Sequence, residues 1–479
     1  MKKLIIIAMM LGAITMQAQV RLNVGKESKA ISADALEKGT HVGNYEDCDV
    51  WLNQVRKGWR ITAMNHDLEI AKTAEMELVA DRLLAATMSG NTATMLLSKQ
   101  DKKDTYILVA RLSIDGEASV DTLATLNTPG RKDKCQLWAA KSNLGNYMGV
   151  VAVQEFRDSM EYVTTAFLVA SRGNLVFRRE FAMTSFDQIF VTDNGSIATL
   201  ATENTAAGVD VMVNYVSANV VSTGKSTIDS DPVNDARIVN VLGNRVLALG
   251  TTYERGRRAD QTACNGVIGI SYDIDSAKVY GYSTRLFDME DYNVLYNLYL
   301  KKKQKNTLAH NISVMGCVPL NYGGAIVLSR SFKELKSTND GVTHHIFQHL
   351  GLHVAAVNTE GQLAWTVNIR CNDRQENSGT DLRLGVSSED DIVNIYKNES
   401  RKEPDGYDIF RAAKPMNAGS KSNLVRYAIF KSGDVEKAIL ERKTKHAFLL
   451  VTDDQEVFTV RGRKVRRATV TLTPEAEVE

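Results

Sequence analysis

The sequence predicts an all-β fold, and three observations lead to this prediction. Apolar and polar residues alternate on both sides of turns rich in Gly, Asn and Asp, as in "NDARIVNVLGNRVLALGTT" (234–252), which is the pattern of β-hairpins. Such hairpins recur along the chain. Only six prolines occur in 479 residues, and no long Pro-, Ser- or Gly-rich linker divides them, which favours one regular assembly over separate domains.

The first 18 residues resemble a secretory signal peptide. They run from two lysines through an apolar stretch to small residues ending at Ala18. We therefore expect a secreted or periplasmic protein. The first cysteine, Cys48, lies far from the predicted cleavage point, which argues against a lipid anchor. No later segment has about 18 consecutive apolar residues, so a membrane span is not predicted.

Composition excludes several classes of protein. A net charge of +1 with 24% charged residues excludes a strongly basic nucleic-acid binder and a disordered acidic chain. The cysteines are spread singly and form no CxxC pair, which favours buried free thiols, with at most one or two disulfides. They are Cys48, Cys135, Cys264, Cys317 and Cys371.

Two kinds of hairpin alternate along the chain. A first-type hairpin joins an apolar strand to a strand rich in small residues, and a second-type hairpin follows after a loop of variable length. First-type turns fall near residues 81, 146, 194, 243, 322, 388 and 454, and second-type turns near 115, 172, 217, 274, 360 and 433. The last first-type hairpin, 448–460, has no partner downstream. An unpaired second-type hairpin at 58–74 can complete it.

Seven radially repeated antiparallel sheets resemble a β-propeller of the quinoprotein-like and WD40-like superfamily. The expected architecture is a seven-bladed β-propeller over residues 58–472, closed by pairing of N- and C-terminal strands. Residues 19–57 would form an N-terminal extension and residues 473–479 an acidic tail. A pair of β-sandwiches or an irregular all-β protein is the alternative.

One unit carries a more specific resemblance. The stretch "VNTEGQLAW" (357–365) is similar to the outer hairpin of a quinoprotein-type blade. The resemblance implies that Gly361 makes the turn and that Trp365 packs between blades. Because no other unit keeps this Trp, no cofactor is implied.

The stretch "HHIFQHLGLH" (344–353) raises the question of a metal site. On a strand, which advances about 3.3 Å per residue, His345 and His349 would stand about 13 Å apart and could not share a zinc ion. On a helix they would lie on one face, about 5–6 Å apart, and a metal would be possible. The turn and apolar strand that follow favour a strand, with the histidines on an exposed or inter-blade face. No metal site is predicted.

The long connections share one face of the predicted propeller. They are residues 252–265, 286–310, 330–345 and 398–422. Connections longer than about 12 residues in a compact domain are usually functional or disordered, and these are rich in the aromatic and basic side chains that anchor interfaces. Residues 288–305 show helical spacing and fit a short amphipathic helix, with a lid that only packs on the blades as the alternative. The candidate binding residues are Arg257, Arg258, Tyr292, Tyr296, Tyr299 and Tyr407.

The charged runs favour structural roles. The basic run "RGRKVRR" (461–467) is predicted to be an edge strand kept soluble by charge, because alternate strand residues point to opposite faces and make no single nucleic-acid stripe. The acidic runs at 389–391 and 453–454 fall on first-type turns, where turn chemistry explains them. No catalytic residues are predicted, since nucleophile, zinc-protease and phosphate-loop motifs are absent.

The sequence therefore favours an exported, non-catalytic binding or scaffold protein that uses its long-loop face. Its partner would be a protein or an envelope or glycan component, which the chain binds as a monomer within a larger complex. The alternative is a propeller hydrolase or lyase acting on glycans or peptides, whose carboxylates would have to converge within about 10 Å across several blades.

Overall fold

The computed structural model describes most of the chain. The described residues are 19–24, 27–28, 36, 38–130, 133–182, 186–254, 264–295, 311–337, 343–376, 384–408, 414, 416–417, 421–451, 456–461 and 464–473. The predicted signal peptide, 1–18, and the end of the tail, 474–479, lie outside these residues. No helix within the described ranges is long and apolar enough to cross a membrane.

The strands form eight sheets, of which the first four have the same four-stranded meander. Sheet 1 contains β2 (Thr40–Tyr45), β3 (Cys48–Val55), β4 (Gly58–Met64) and β5 (Ile70–Glu77). Sheet 2 contains β6 (Arg82–Ser89), β7 (Thr92–Asp101), β8 (Asp104–Ser113) and β9 (Ala118–Asn127). Sheet 3 contains β10 (Lys134–Lys141), β11 (Tyr147–Phe156), β12 (Glu161–Ala170) and β13 (Leu175–Phe181). Sheet 4 contains β14 (Gln188–Val191), β15 (Ile197–Thr205), β16 (Gly208–Val216) and β17 (Val221–Ile228).

The second four sheets vary this plan. Sheet 5 contains β18 (Val233–Leu242), β19 (Arg245–Tyr253), β20 (Cys264–Asp273) and β21 (Lys278–Leu286), and helix α1 (Met289–Leu295) follows it. Sheet 6 has six strands: β22 (Asn311–Leu320), β23 (Gly323–Ser337), β24 (Thr343–Asn358), β25 (Leu363–Ile369), β26 (Asp373–Glu376) and β29 (Met416–Asn417). Sheet 7 contains β27 (Leu384–Glu389), β28 (Ile392–Ser400), β30 (Ser422–Ile429) and β31 (Val435–Thr444). Sheet 8 contains β32 (Ala447–Val451), β33 (Glu456–Arg461), β34 (Lys464–Thr473) and β1 (Gln19–Val24).

The sheets pack side by side in a ring. The first strand of each sheet contacts the first strand of the next, from β2 and β6 round to β27 and β32. The ring closes where Trp51 of sheet 1 packs edge-on against Phe458 of sheet 8, with ring centroids 5.8 Å apart. Packing between neighbours is close: a Cβ atom on Gly149 of sheet 3 would lie 2.7 Å from the Val191 side chain of sheet 4. This radial arrangement confirms the predicted all-β propeller fold.

The core lies in the middle strands of the sheets. Strand β30 is buried at all eight positions, because both of its faces are covered by neighbouring sheets. The outer strand β21 alternates between exposed and half-buried residues. This difference explains why the inner strands are apolar runs in the sequence, whereas the outer strands alternate between apolar and polar residues.

The number of sheets differs from the number of predicted units. Six of the seven units correspond to sheets 3 to 8, and the first corresponds to sheet 2. The turn predicted near residue 81 is wrong, because residue 81 lies on the connection between β5 and β6, whereas the first turn of sheet 2 is at Gly90 and Asn91. Sheet 1 is additional. Its first strand, β2, buries only Val42, so it lacks a strong apolar signal. Residues 19–57 are consequently not an extension, since they contain β1, β2 and β3.

The chain termini meet in sheet 8. Strand β1 pairs antiparallel with β34, with Val20 opposite Leu472 and Val24 opposite Ala468. The hairpin 58–74, which the sequence offered as the partner of the last unit, instead contributes to β4 and β5 of sheet 1. Closure therefore uses the segment just after the predicted signal peptide.

The histidine stretch lies on β24, as the sequence predicted. Of the two predicted alternatives, the exposed face is wrong, because His349 and His353 are fully buried, and the inter-blade face is the one that His353 occupies. His353 packs edge-on against Phe287 from the connection that leaves sheet 5, with ring centroids 5.0 Å apart, so it lies between sheets. The side chain of His345 lies outside the described residues.

The blade-like hairpin at 357–365 also has the predicted roles. Gly361 adopts a left-handed conformation in the turn, with φ of +81°. Trp365 is buried, donates from Nε1 to the Tyr322 hydroxyl at 3.0 Å, and lies against Gly433 of sheet 7. All five cysteines are free. Cys264 and Cys371 are buried as predicted, whereas the other three are half-buried.

Candidate functional site

The ring has two chemically different ends. Because the strands alternate in direction, the first and third hairpin turns of each sheet lie at one end, here called the turn end. The second turn of each sheet and the connections between sheets lie at the other end, the loop end. The sequence placed its binding residues at the loop end.

The described ends of three long connections lie together at the loop end. Tyr253, where the 254–263 connection begins, packs in the same apolar cluster as Tyr292 of helix α1. Tyr407, on the connection after β28, lies near the same helix, since Glu290 of α1 contributes to its pKa. The fourth predicted loop, 330–345, is mostly strand, because β23 extends to Ser337 and β24 begins at Thr343.

Helix α1 begins with a reciprocal cap. The Asp288 carboxylate accepts the backbone N–H groups of Glu290 at 2.8 Å and Asp291 at 3.0 Å. Asp291 in turn accepts the backbone N–H of Asp288 at 2.9 Å. These bonds satisfy donors that a helix start leaves unpaired, and the bond from Asp291 lowers the pKa of Asp288. The helix predicted within 288–305 therefore exists over its first two turns.

Asn368 on β25 joins helix α1 to the rest of the loop end. Its side-chain amide donates to Asp291 Oδ1 at 2.7 Å. Its side-chain oxygen accepts from His353 Nδ1 at 2.8 Å, and its backbone carbonyl accepts the Tyr407 hydroxyl at 2.6 Å. Asp291, His353 and Asn368 are all buried, so this junction is dry and positions its neighbours rigidly.

The segment 400–408, here called the strap, is held by further contacts. Glu403 pairs with Arg370 at 3.3 Å, and the backbone carbonyl of Pro404 accepts Lys437 Nζ at 2.8 Å. Tyr407 packs edge-on against Tyr427, with ring centroids 6.3 Å apart. Burial raises the pKa of Tyr407 to about 12, so its hydroxyl stays protonated and keeps donating to Asn368.

A buried ionic cluster lies beneath the strap. Glu399 pairs with Lys397 at 3.4 Å and with Lys437 at 2.6 Å, and it also accepts the Tyr427 hydroxyl. Burial opposes ionisation of Glu399, but the two lysines outweigh it and lower the carboxyl's pKa. Burial raises the pKa of Asp373 nearby. Sequence reasoning missed this cluster, because its only signal is polar residues on strands that end in a long connection.

Of the six predicted binding residues, two lie within the described part of the chain. Tyr292 is half-buried and packs edge-on against Phe287, with ring centroids 6.0 Å apart. Tyr407 is half-buried and uses its hydroxyl within the fold. Both tyrosines therefore stabilise the loop end through contacts within the fold. Four others lie outside the described residues: Arg257, Arg258, Tyr296 and Tyr299.

The basic run does not form an edge strand. Arg466 and Arg467 lie on β34, the strand between β33 and β1. Arg466 binds Glu441 of sheet 7, whereas Arg467 reaches Asp49 of sheet 1 at 3.0 Å. The two side chains thus point to opposite faces, as strand geometry requires, and they connect sheet 8 to sheets 7 and 1.

The acidic run at 389–391 lies at the turn end. Asp391 Oδ1 accepts the backbone N–H of Asn321, in the neighbouring turn of sheet 6, at 2.6 Å. Asp193 makes the same bond to Leu144 at 2.8 Å. These carboxylates therefore link adjacent turns. The run at 453–454 lies outside the described residues. In the described part of the chain, no three metal-binding side chains converge.

Comparison with known proteins gives a likeness of fold alone. No family model matches the chain, and no curated protein matches it. Among solved structures, a protein of unknown function from Bacteroides caccae is 13% identical over 68% of this chain and 94% of that one, with a TM-score of 0.28. A protein from Lactobacillus plantarum is 12% identical over 86% and 96%, with a TM-score of 0.33. The Dos1 propeller is 8% identical over 94% and 95%, with a TM-score of 0.38.

Proposed function

We propose that this chain is an exported binding or scaffold protein that recognises a protein or an envelope or glycan component through its loop end. The observation that carries the proposal is the double attachment at Asn368. One buried residue holds both helix α1 and the strap on sheet 6. A surface built on anchored segments loses little conformational entropy when it binds, which favours affinity.

The sequence of the adjoining segments supports the same role. The chain continues from helix α1 into residues 296–310, which contain two of the predicted tyrosines and a run of lysines. The connection with Arg257 and Arg258 begins beside Tyr292. Tyrosine and arginine are the side chains that most often dominate binding energy at interfaces.

Binding is favoured over catalysis by the state of four carboxylates around helix α1 and the strap. Asp288 and Asp291 cap helix α1, Glu399 neutralises two lysines, and Glu403 pairs with Arg370. Each is committed to the fold. A hydrolase or lyase would need carboxylates free to act on a substrate.

The test is a quantitative capture experiment with the native envelope fraction. The bait is the mature protein, and the variant lacks residues 296–305, which leaves the cap and helix α1 intact. One identified partner, retained saturably by the intact protein and lost with the variant, supports the proposal. Equal capture by both proteins, or turnover of a glycan or peptide panel without capture, contradicts it.

A substitution with a matched control sharpens this test. Replacing Arg258 and Tyr296 together by alanine should weaken capture at least tenfold and leave the melting temperature nearly unchanged. The control replaces Arg172 and Tyr280, an exposed arginine and an exposed tyrosine at the turn end, and it should capture the partner as the unaltered protein does. A loss of folding in the first variant would mean that these residues are structural.

Export and stoichiometry are separate parts of the proposal. Residues 1–18 support export, and cell fractionation of the full-length chain tests it. A chain that stays in the cytoplasm at its full mass contradicts export. Light scattering of the purified protein tests whether it is a monomer before it meets its partner.

A further inference from the structure

A cavity opens at the turn end, on the opposite side of the ring from the proposed partner surface. Its volume is about 460 Å³, and the first turns of five consecutive sheets, 3 to 7, line it. This volume falls within the range of about 300–1,000 Å³ that is typical of small-molecule sites. The mouth of a closed β-assembly is also a common place for such sites.

Hydrogen bonds between sheets hold the cavity wall. The Asn240 amide donates to the backbone carbonyls of Leu320 at 2.9 Å and Gly323 at 2.7 Å. Ser388 donates to the carbonyl of Pro319 at 3.1 Å. Together with the bonds of Asp193 and Asp391 to neighbouring turns, they preorganise the wall and lower the entropy cost of binding.

The negative charge of the wall determines which ligand charge the cavity favours. The described lining holds four carboxylates, Asp193, Glu389, Asp390 and Asp391, and it contains no Lys, Arg or His. Glu389 and Asp390 are exposed. A concave surface with one sign of charge focuses its field and concentrates ions of the opposite sign. Anionic ligands are therefore disfavoured.

The first turn of sheet 7 consists of two aspartates. Asp390 and Asp391 form a two-residue hairpin loop with φ of +48° and +64°. Aspartate is among the residues that such turns favour, so both side chains are compatible with the backbone. At the equivalent place sheet 5 has Gly243 and Asn244, which carry no charge. Sheet 7 therefore adds two carboxylates to the cavity where sheet 5 adds none.

The wall also has an apolar part, beside six neutral polar residues. Leu144, Phe190, Leu242 and Leu320 belong to the apolar part, and Leu144 is 77% exposed although it is a large apolar side chain. A strongly hydrated metal ion gains nothing from such a surface. A molecule with both a positive charge and methylene groups satisfies both halves of the wall.

We infer that the turn-end cavity binds a small organic cation with protonated amines, whose charge is met by Glu389 and Asp390 and whose hydrocarbon part lies on the apolar wall. This site goes beyond the proposed partner binding and lies at the other end of the ring. Either can fail without the other.

The experiment is isothermal titration calorimetry of the whole mature protein with spermidine as the probe. We expect one saturable site whose affinity falls as salt rises, because exposed charge pairs are screened. The anion glutamate should give no binding. No saturable heat with millimolar spermidine overturns the inference, and so does tighter binding of Ca²⁺ than of spermidine.

Matched variants locate the site. E389Q together with D390N should weaken spermidine binding at least tenfold, with an unchanged melting temperature because asparagine tolerates positive φ. The control pair, D101N with D158N, removes two exposed carboxylates at the loop end and should bind as the unaltered protein does. Equal weakening by both pairs would mean nonspecific charge attraction and would overturn the inference, as would unchanged binding in the first pair.

Discussion

Arg467 Nη1 lies 3.0 Å from Asp49 Oδ2, and both side chains are buried. Arg467 belongs to the third strand of sheet 8 and Asp49 to the second strand of sheet 1, so the pair joins the last sheet to the first. His41 Nε2 lies 3.5 Å from the other carboxylate oxygen of Asp49. The ring is thus closed by an ion pair as well as by the packing of Trp51 on Phe458.

Breaking this pair should open the ring at its seam. We expect Arg467→Met to lower the free energy of unfolding by about 3–5 kcal/mol, because Asp49 would keep a buried charge without its partner. Urea denaturation measures the change.

The control is Arg442→Met, which breaks the exposed pair with Asp405. Exposed pairs contribute only about 0–1 kcal/mol. Equal effects of the two substitutions would contradict a special role for Arg467.

The propeller was predictable because its signal is local. Hairpins at 188–205 or 233–253 combine apolar alternation with a Gly or Asn turn, and both features are visible in a short window. Sheet 1 was not predicted, because β2 carries few buried apolar residues. The pairing of β34 with β1 was not predicted either, since residues 19–24 and 464–473 are far apart in the sequence and no short window shows that they pair.

The loop end was predictable as a region but not in its chemistry. Connection lengths pointed to Tyr292 and Tyr407, and the fold brings Tyr407 near Glu290 of the helix that carries Tyr292. Asn368 was not noticed in the sequence, because an asparagine on a strand is an ordinary polar position. His353 was considered only as part of a possible metal site in the stretch 344–353. Their role depends on groups 77 residues apart along the chain, as in the bond from Asn368 to Asp291.

Removing the Asn368 side chain should loosen helix α1. We expect Asn368→Ala to lower the free energy of unfolding by about 1–3 kcal/mol, because Asp291 and His353 would lose a buried partner. Hydrogen exchange should rise within residues 289–295 before it rises in sheet 6.

Asn127→Ala is the matched control, because that side chain bonds to Asp104 at the exposed edge of sheet 2. It should change neither measurement appreciably. Exchange that rises uniformly through the ring in Asn368→Ala would contradict a local junction.

Removing the charge of Glu399 from the ionic cluster beneath the strap should lower the free energy of unfolding. In Glu399→Gln, Lys397 and Lys437 would remain buried without their shared counter-ion, and we expect a loss of about 3–5 kcal/mol by urea denaturation. The control is Glu436→Gln, because Glu436 lies next to Lys437 on β31 of the same sheet but is only half-buried. Similar stability of the two variants would show that the lysines find other partners.

Acid should weaken the fold through His353. Burial lowers the pKa of this histidine, although Asn368 and Asp291 oppose the shift, and Arg285 and Asp288 also face it. The unfolded chain therefore binds a proton at a higher pH than the folded chain does. The free energy of unfolding should then fall as the pH drops below the ordinary histidine pKa of about 6.5. Urea denaturation between pH 7.5 and 5.5 measures this slope.

The variant His353→Asn separates this contribution from that of other groups. Asparagine can place an amide near the position of Nδ1 and cannot be protonated, so the slope between pH 7.5 and 5.5 should become shallower even if stability at pH 7.5 is lower. His446, whose pKa burial also lowers, would supply the remaining slope. An identical slope in His353→Asn and the unaltered protein would mean that His353 is protonated equally in the folded and unfolded chain.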